Sequence, residues 1–277
     1  TLSTISHRRS ALHRRRNAMR INVNGSEVFV ATGGKDFDAS KPAAVFIHGA
    51  GFDHSTWALY TRWHAHNGFA VLAPDLPGHG LSGGEPLGSV EELADWIPAL
   101  LDAVGAKKAR LIGHSLGALI AVETAARHPD RVASLRLIGA ATAMPVSDAL
   151  LSAAKANSPD AIAMMTIWGF GARAALGGSL SPGNWLIGKG VRVLEAAKPG
   201  VLFNDLTASN AYNATEAAKR VNAPTTIVLA ERDLMTPAKN GKALAALIPG
   251  AKVVILAGAG HMLLAEKPDD VLKAIAA

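Results

Sequence analysis

Three side chains in this sequence have the types and neighbours that acyl transfer needs: Ser115, Asp233 and His261. A serine hydroxyl is a poor nucleophile at neutral pH. It becomes a good one when an imidazole takes its proton and a carboxylate holds that imidazole in the right tautomer. Ser115 stands in Gly113-His114-Ser115-Leu116-Gly117, directly after an apolar run at 109–112 and before a helical pattern that reaches Arg127. Strand, sharp turn and helix would put the serine on an exposed elbow, and glycines two before and two after it leave room where a Cβ would clash. Alone the pentapeptide is a weak signal; the strand before it and the helix after it strengthen it.

His261 is the preferred base among ten histidines, because it follows the last apolar run on the glycine-rich loop Ala257-Gly258-Ala259-Gly260. His114 adjoins the serine, but its side chain should leave the elbow in another direction, and packing is its expected role. His64 and His66 lie two apart on a predicted helix, face apart, and make a poor metal pair. For the carboxylate, Asp233 sits in the turn just beyond the apolar run 225–229, with Glu231 as its competitor. Acyl transfer also calls for backbone N–H donors aimed at the developing oxyanion. His48-Gly49-Ala50-Gly51 follows another apolar run, and its glycines admit close backbone approach, so the Ala50 amide is paired with that of Leu116 as the expected oxyanion hole. The spacing fits neither a nucleotide-phosphate loop nor a dinucleotide-binding loop.

These loops must hang from a scaffold. Short apolar runs at 43–47, 70–73, 109–112, 135–138, 225–229 and 252–256 alternate with helical patterns at 56–66, 90–104, 116–127, 238–247 and 268–276. That alternation predicts an α/β fold, a mainly parallel central sheet flanked by helices. Before it, Asn24-Gly25 joins 21–23 to 27–31 as a hairpin. Ser55 and Ser89 are the expected N-caps of the first two helices. Residues 144–221 break the rhythm: Ala-rich helical patches alternate with Gly169-Phe170-Gly171, Gly177-Gly178 and Ser181-Pro182-Gly183. This reads as an inserted helical cap at the carboxyl ends of the strands, where the ligand crevice of such a sheet forms. The expected organisation is a basic extension at 1–18, core at 19–143, cap at 144–221 and core again at 222–277. Met144, Met165 and Trp168 are candidate substrate contacts, with Met164, Phe170 and Trp185 as further apolar candidates, although most such residues simply pack a helix onto its support.

Composition narrows the classes. Of 277 residues 49% are hydrophobic and 18% charged, and there is no cysteine, which removes disulfides, thiolate nucleophiles and thiolate metal sites. The net charge of +6 is concentrated in Arg8, Arg9, Arg14, Arg15 and Arg16, which leaves the remainder nearly neutral. The tail lacks aromatic interleaving and is read as leader or expression-derived sequence before Met19, so no nucleic-acid partner is expected. No apolar run reaches the length of a membrane helix and no secretory core is present; a cytoplasmic location without a membrane partner is expected.

Four blocks together resemble the α/β-hydrolase superfamily, in particular esterase and lipase-like members with a helical cap. They are His48 through Trp57, Asp75-Leu76-Pro77-Gly78-His79-Gly80-Leu81-Ser82, the elbow around Ser115, and the Asp233 and His261 segments, in the order Ser, Asp, His. The resemblance implies that the Asp75 block is a structural loop. It implies dehalogenase or epoxide-hydrolase chemistry only for an aspartate at position 115, so serine points to an acyl-enzyme, with no metal and no organic cofactor. The expected function is hydrolysis of small or short-chain carboxylic esters. Carbon-carbon bond hydrolases, lactonases and thioesterases share the serine triad. An aminopeptidase would need clustered cap acids, and Asp148, Asp160, Glu195 and Asp205 are scattered in the sequence. A ligand receptor on the same fold with little turnover, and a polyanion-binding module using the arginine tail, are readings of other classes.

Overall fold

The computed structural model describes residues 18–178 and 185–276. Except for Ala18, the basic stretch 1–18 lies outside the described residues, as does the Ser181-Pro182-Gly183 break. Eight strands form one sheet: β1 (Ala18–Val23), β2 (Ser26–Ala31), β3 (Ala43–Ile47), β4 (Ala70–Pro74), β5 (Ala109–His114), β6 (Val132–Ile138), β7 (Thr225–Ala230) and β8 (Lys252–Leu256), in the order β1-β2-β4-β3-β5-β6-β7-β8. The β1–β2 and β2–β4 pairs are antiparallel and all others parallel. Asn24 and Gly25 both take positive φ, 51° and 86°, the twist a two-residue hairpin turn requires.

The central strands are apolar throughout because both faces are covered. In β3 the alternation of a pleated strand sends Ala43, Val45 and Ile47 into one core and Ala44 and Phe46 into the other. Complete burial of Phe46 or Ile47 contributes about 1.5–3 kcal/mol each. Helices α1 (Ala58–His66) and, at the chain's end, Pro268–Ala276 cover the second face through Tyr60, Val271 and Ile275. Helices α2 (Val90–Ala103) and α3 (Leu116–Arg127), with Ala238–Leu247, cover the first through residues such as Trp96, Ile97, Leu119 and Leu244. Ser89 caps α2 by accepting from the Glu92 N–H. Ser55 is not the cap before α1: the chain enters it through a 3-10 turn at His54–Trp57, capped by the Asp53 carboxylate, which accepts from the Ser55 N–H.

Between β6 and β7 the chain forms helices without a strand of the sheet: α4 (Asp148–Lys155), α5 (Pro159–Gly169), α6 (Ala172–Ala175), α7 (Leu186–Ala196), α8 (Val201–Ala211) and α9 (Thr215–Lys219). The sheet's winding reverses at β3, which has β4 on one side and β5 on the other. Loops leaving the carboxyl ends of β3 and β5 therefore diverge and leave a crevice, the place where open α/β sheets take ligands.

Candidate active site

The β3–β5 register pairs Ile47 with Gly113, so the loop at 48–51 and the turn at Ser115 emerge side by side. Ser115 has φ 55° and ψ −120°, one of three non-glycine residues with positive φ among those described. Its N–H donates to the Ile138 carbonyl, and its own carbonyl starts α3. The flanking glycines are forced: a Cβ on Gly113 would overlap the Gly117 carbonyl, and one on Gly117 would overlap the carbonyl of Ile47. A Cβ on Gly49 would come within 3.3 Å of Ser115 Cβ, which places the β3 loop directly against the serine. The Leu116 N–H belongs to the first turn of α3, where helical donors lack intrahelical partners.

Asp233 and His261 meet from neighbouring loops. His261 Nδ1–H donates to Asp233 Oδ2 at 2.8 Å, which leaves the lone pair on Nε2. Nε2 is buried and has no hydrogen-bond partner among the described residues. Thr236 completes the arrangement. Its N–H donates to Asp233 Oδ1 at 2.7 Å and its hydroxyl to Oδ2 at 2.7 Å, while the Met235 N–H adds a third backbone or hydroxyl donor. Burial pushes the Asp233 carboxyl up, but the adjacent His261 and the Thr236 donors outweigh it and hold the group below the usual carboxylate range. Glu231, the competitor, is exposed and accepts from the Gly258 N–H, bracing the His261 loop instead.

His114 packs as expected. Its Nε2–H donates to the His261 carbonyl at 3.0 Å, and burial, with His261 nearby, drives its pKa down to about 3. A neutral ring therefore lies beside the position where an imidazolium would form, without like-charge repulsion. His64 is buried and His66 exposed, on different faces of α1. The Asp75 block is tied down internally: buried Asp75 accepts from His54 N and Nδ1 and from Leu81 N, and Ser82 Oγ donates to the Asp75 carbonyl. Asp53, His54 and Asp75 also bring one ligand atom each within 4.8 Å, the grouping among the described residues nearest to a cation site. Asp53 and Asp75 are already engaged, as helix cap and as partner of His54.

A cavity of about 210 Å³ opens at Ser115. Ala50, Met144, Met165 and Trp168 line it, joined by Leu150, Leu206 and the 234–236 turn. Met164, Phe170 and Trp185 do not: Met164 packs against the core, Phe170 lines a separate cavity beside α1 and α7, and Trp185 is 68% exposed. Helical periodicity could not choose among them, because α5 is apolar on most of its circumference. The sequence alone does not single out Thr236 or His79. The only sequence signal for Thr236 is a hydroxyl three residues after a candidate acid; for His79 it is its place inside a loop read as structural.

Residues 44–274 match the family model described as Alpha/beta hydrolase family. The chain is an alpha/beta hydrolase. This hydrolase is 30% identical over 242 residues to a pimeloyl-[acyl-carrier protein] methyl ester esterase of Chromobacterium violaceum, covering 85% of this chain and 93% of that protein. It is 28% identical over 242 residues to a putative carbamate hydrolase of Pseudomonas savastanoi, covering 80% and 88%. Among solved structures, the enol-lactonase from Burkholderia xenovorans superposes with a TM-score of 0.81 at 25% identity, over 93% of this hydrolase and 98% of that chain. Among the described residues, no helix is long and apolar enough to cross a membrane.

Proposed function

We propose that this hydrolase cleaves small carboxylic esters through an acyl-enzyme on Ser115. The observation that carries the reading is a cavity lined by the strained Ser115 elbow, by Ala50 and by Thr236, whose hydroxyl contacts both members of the Asp233–His261 pair, with His261 Nε2 buried and unpartnered among the described residues. Ser115 Oγ attacks the ester carbonyl and His261 Nε2 takes its proton. The Ala50 and Leu116 N–H groups hold the oxyanion, and His261 then protonates the departing alcohol. Water, deprotonated by the same Nε2, releases the acid and restores the serine. Asp233 keeps the imidazole in the tautomer both steps need. Residues 144–221 act as a cap over this site. A space of about 210 Å³ walled by Met144, Leu150, Met165 and Trp168 suits a short acyl group. The methyl ester, carbamate and enol-lactone named for the relatives are all acyl compounds that the same chemistry opens.

The test is hydrolysis of p-nitrophenyl acetate, butyrate and decanoate by the protein and by Ser115→Ala. The expected result is measurable turnover, higher on the two short esters, that falls by about 10³-fold or more in the variant. Equal activity of the two proteins would refute the acyl-enzyme on Ser115, and a preference for decanoate would refute the short-chain assignment.

A further inference from the structure

Asp205 lies on α8, 1% exposed, and its carboxylate reaches out of the inserted helices into the core. Oδ2 accepts from the Gly51 N–H at 2.8 Å and from His79 Nε2 at 2.8 Å. His79 itself is 2% exposed, and its Nδ1 lies 2.9 Å from the Pro77 carbonyl. Both ring nitrogens thus face oxygens, a geometry that favours a proton on each and so an imidazolium form of the buried ring. The Gly51 N–H belongs to the peptide that follows Ala50. Gly51 takes φ 71°, and a Cβ there would press on Leu194 of α7 and Leu202 of α8 at 2.9 Å, so the inserted helices hold this turn by contact as well as by charge.

We propose that Asp205 is a positioning residue for the oxyanion hole: held by the His79 imidazolium, it fixes the Ala50–Gly51 peptide and so aims the Ala50 N–H, making the reactivity of Ser115 depend on the docking of α8. This rests on the reading of Ala50 as an oxyanion donor. The arrangement answers to pH through His79. Burial disfavours its charge, but Asp205 outweighs burial and, with the Pro77 carbonyl and Asp75, raises its pKa above the ordinary histidine value. Around it, His48 of the β3 loop, with rings 4.9 Å apart, is neutral, its pKa lowered by burial to about 4; Asp53 lines the same small crevice, and Lys198, just past α7, donates to the Ser82 carbonyl. A histidine whose pKa is raised on folding contributes its full stabilisation below the unfolded value and loses it as pH climbs through the raised one. The oxyanion loop then loosens on the alkaline side.

The experiment measures kcat and KM for p-nitrophenyl butyrate, inhibition by butylboronic acid and melting temperature, for the protein, Asp205→Ala, Asp205→Asn and His79→Gln. A boronic acid forms a tetrahedral anion on the serine and therefore reads the oxyanion hole without turnover. Asp205→Ala is expected to lower kcat and boronate affinity in parallel by about tenfold or more, a fraction of what loss of a whole oxyanion donor costs, with KM within about threefold. If that variant does not fold, Asp205→Asn, which keeps the volume but removes the charge that holds an imidazolium, carries the same expectation in direction. The parent's kcat is expected to decline on the alkaline side, and His79→Gln, which keeps a donor toward Asp205 without a titrating proton, should flatten that decline. Unchanged kcat and boronate affinity in a folded Asp205 variant, or an alkaline decline that persists in His79→Gln, would overturn the assignment. Failure of the acyl-enzyme reading shows separately, as a Ser115→Ala protein that retains turnover and inhibition.

Discussion

The loops that carry Ser115, Asp233 and His261 and the helices between β6 and β7 are secured by different means. At the core loops, backbone decides: Gly113 and Gly117 are required by carbonyls that a Cβ would overlap, and short hydrogen bonds from Thr236, Met235 and Gly258 hold the two carboxylates. The inserted helices instead rest on apolar side chains and on a few buried polar ties. Asp205 reaches the Gly51 turn, and Glu266 bridges Gly171 of the insertion to Gly260 beside His261. Met262 adds a backbone bond to the Gly169 carbonyl at the end of α5. The core loops are thereby held by constraints with almost no freedom, and the walls of the cavity by packing that tolerates exchange.

The sharpest way to break this contrast is at the carboxylate. Asp233→Asn should lower kcat/KM for p-nitrophenyl butyrate by about 10⁴-fold, because the wrong imidazole tautomer is then favoured, with little change in overall fold by circular dichroism. A loss below about tenfold would mean that another group orients His261. The pH dependence has a definite sign. A carboxylate whose pKa is depressed on folding stabilises the protein above its unfolded value, and that contribution disappears as pH falls through the depressed folded one, so the parent's melting temperature should lose more on the acid side than that of the variant.

An intermediate effect compares the same substitution in the two regions. Gly117→Ala places a methyl against the Ile47 carbonyl and should cost about 2–4 kcal/mol in urea unfolding. Gly200→Ala, just before α8, meets open space at φ 84° and should cost only about 1 kcal/mol. Equal costs would erase the distinction between a crowded core elbow and a forgiving insertion. The smallest effect is expected within the cavity. Trp168→Ala should reduce kcat/KM on butyrate by about fivefold while raising it on decanoate, a change of about 1 kcal/mol that moves preference.

The same contrast explains what could be read before any coordinates. The strands, the elbow and the meeting of Asp233 with His261 were legible because strand periodicity and glycine placement are local, and the strand order converts them into neighbours. Met144, Met165 and Trp168 were legible as candidates and do line the cavity, but Phe170 and Trp185 carried the same signal and lie elsewhere. The His79–Asp205 pair was not legible: its members are 126 positions apart, and Asp205 sits among cap acids that look alike in sequence. Only the docking of α8 against the Asp75 loop distinguishes it from exposed Asp148, Asp160 and Glu195.

The backbone at Ser115 trades stability for the position of one oxygen. Its φ of 55° with ψ −120° lies outside the left-handed helical region and suits glycine better than serine, whereas the other two non-glycine residues with positive φ among those described are asparagines, Asn24 and Asn157. Ser115→Gly is therefore expected to raise the melting temperature even as it removes the hydroxyl, so the elbow marks where folding and reactivity pull apart.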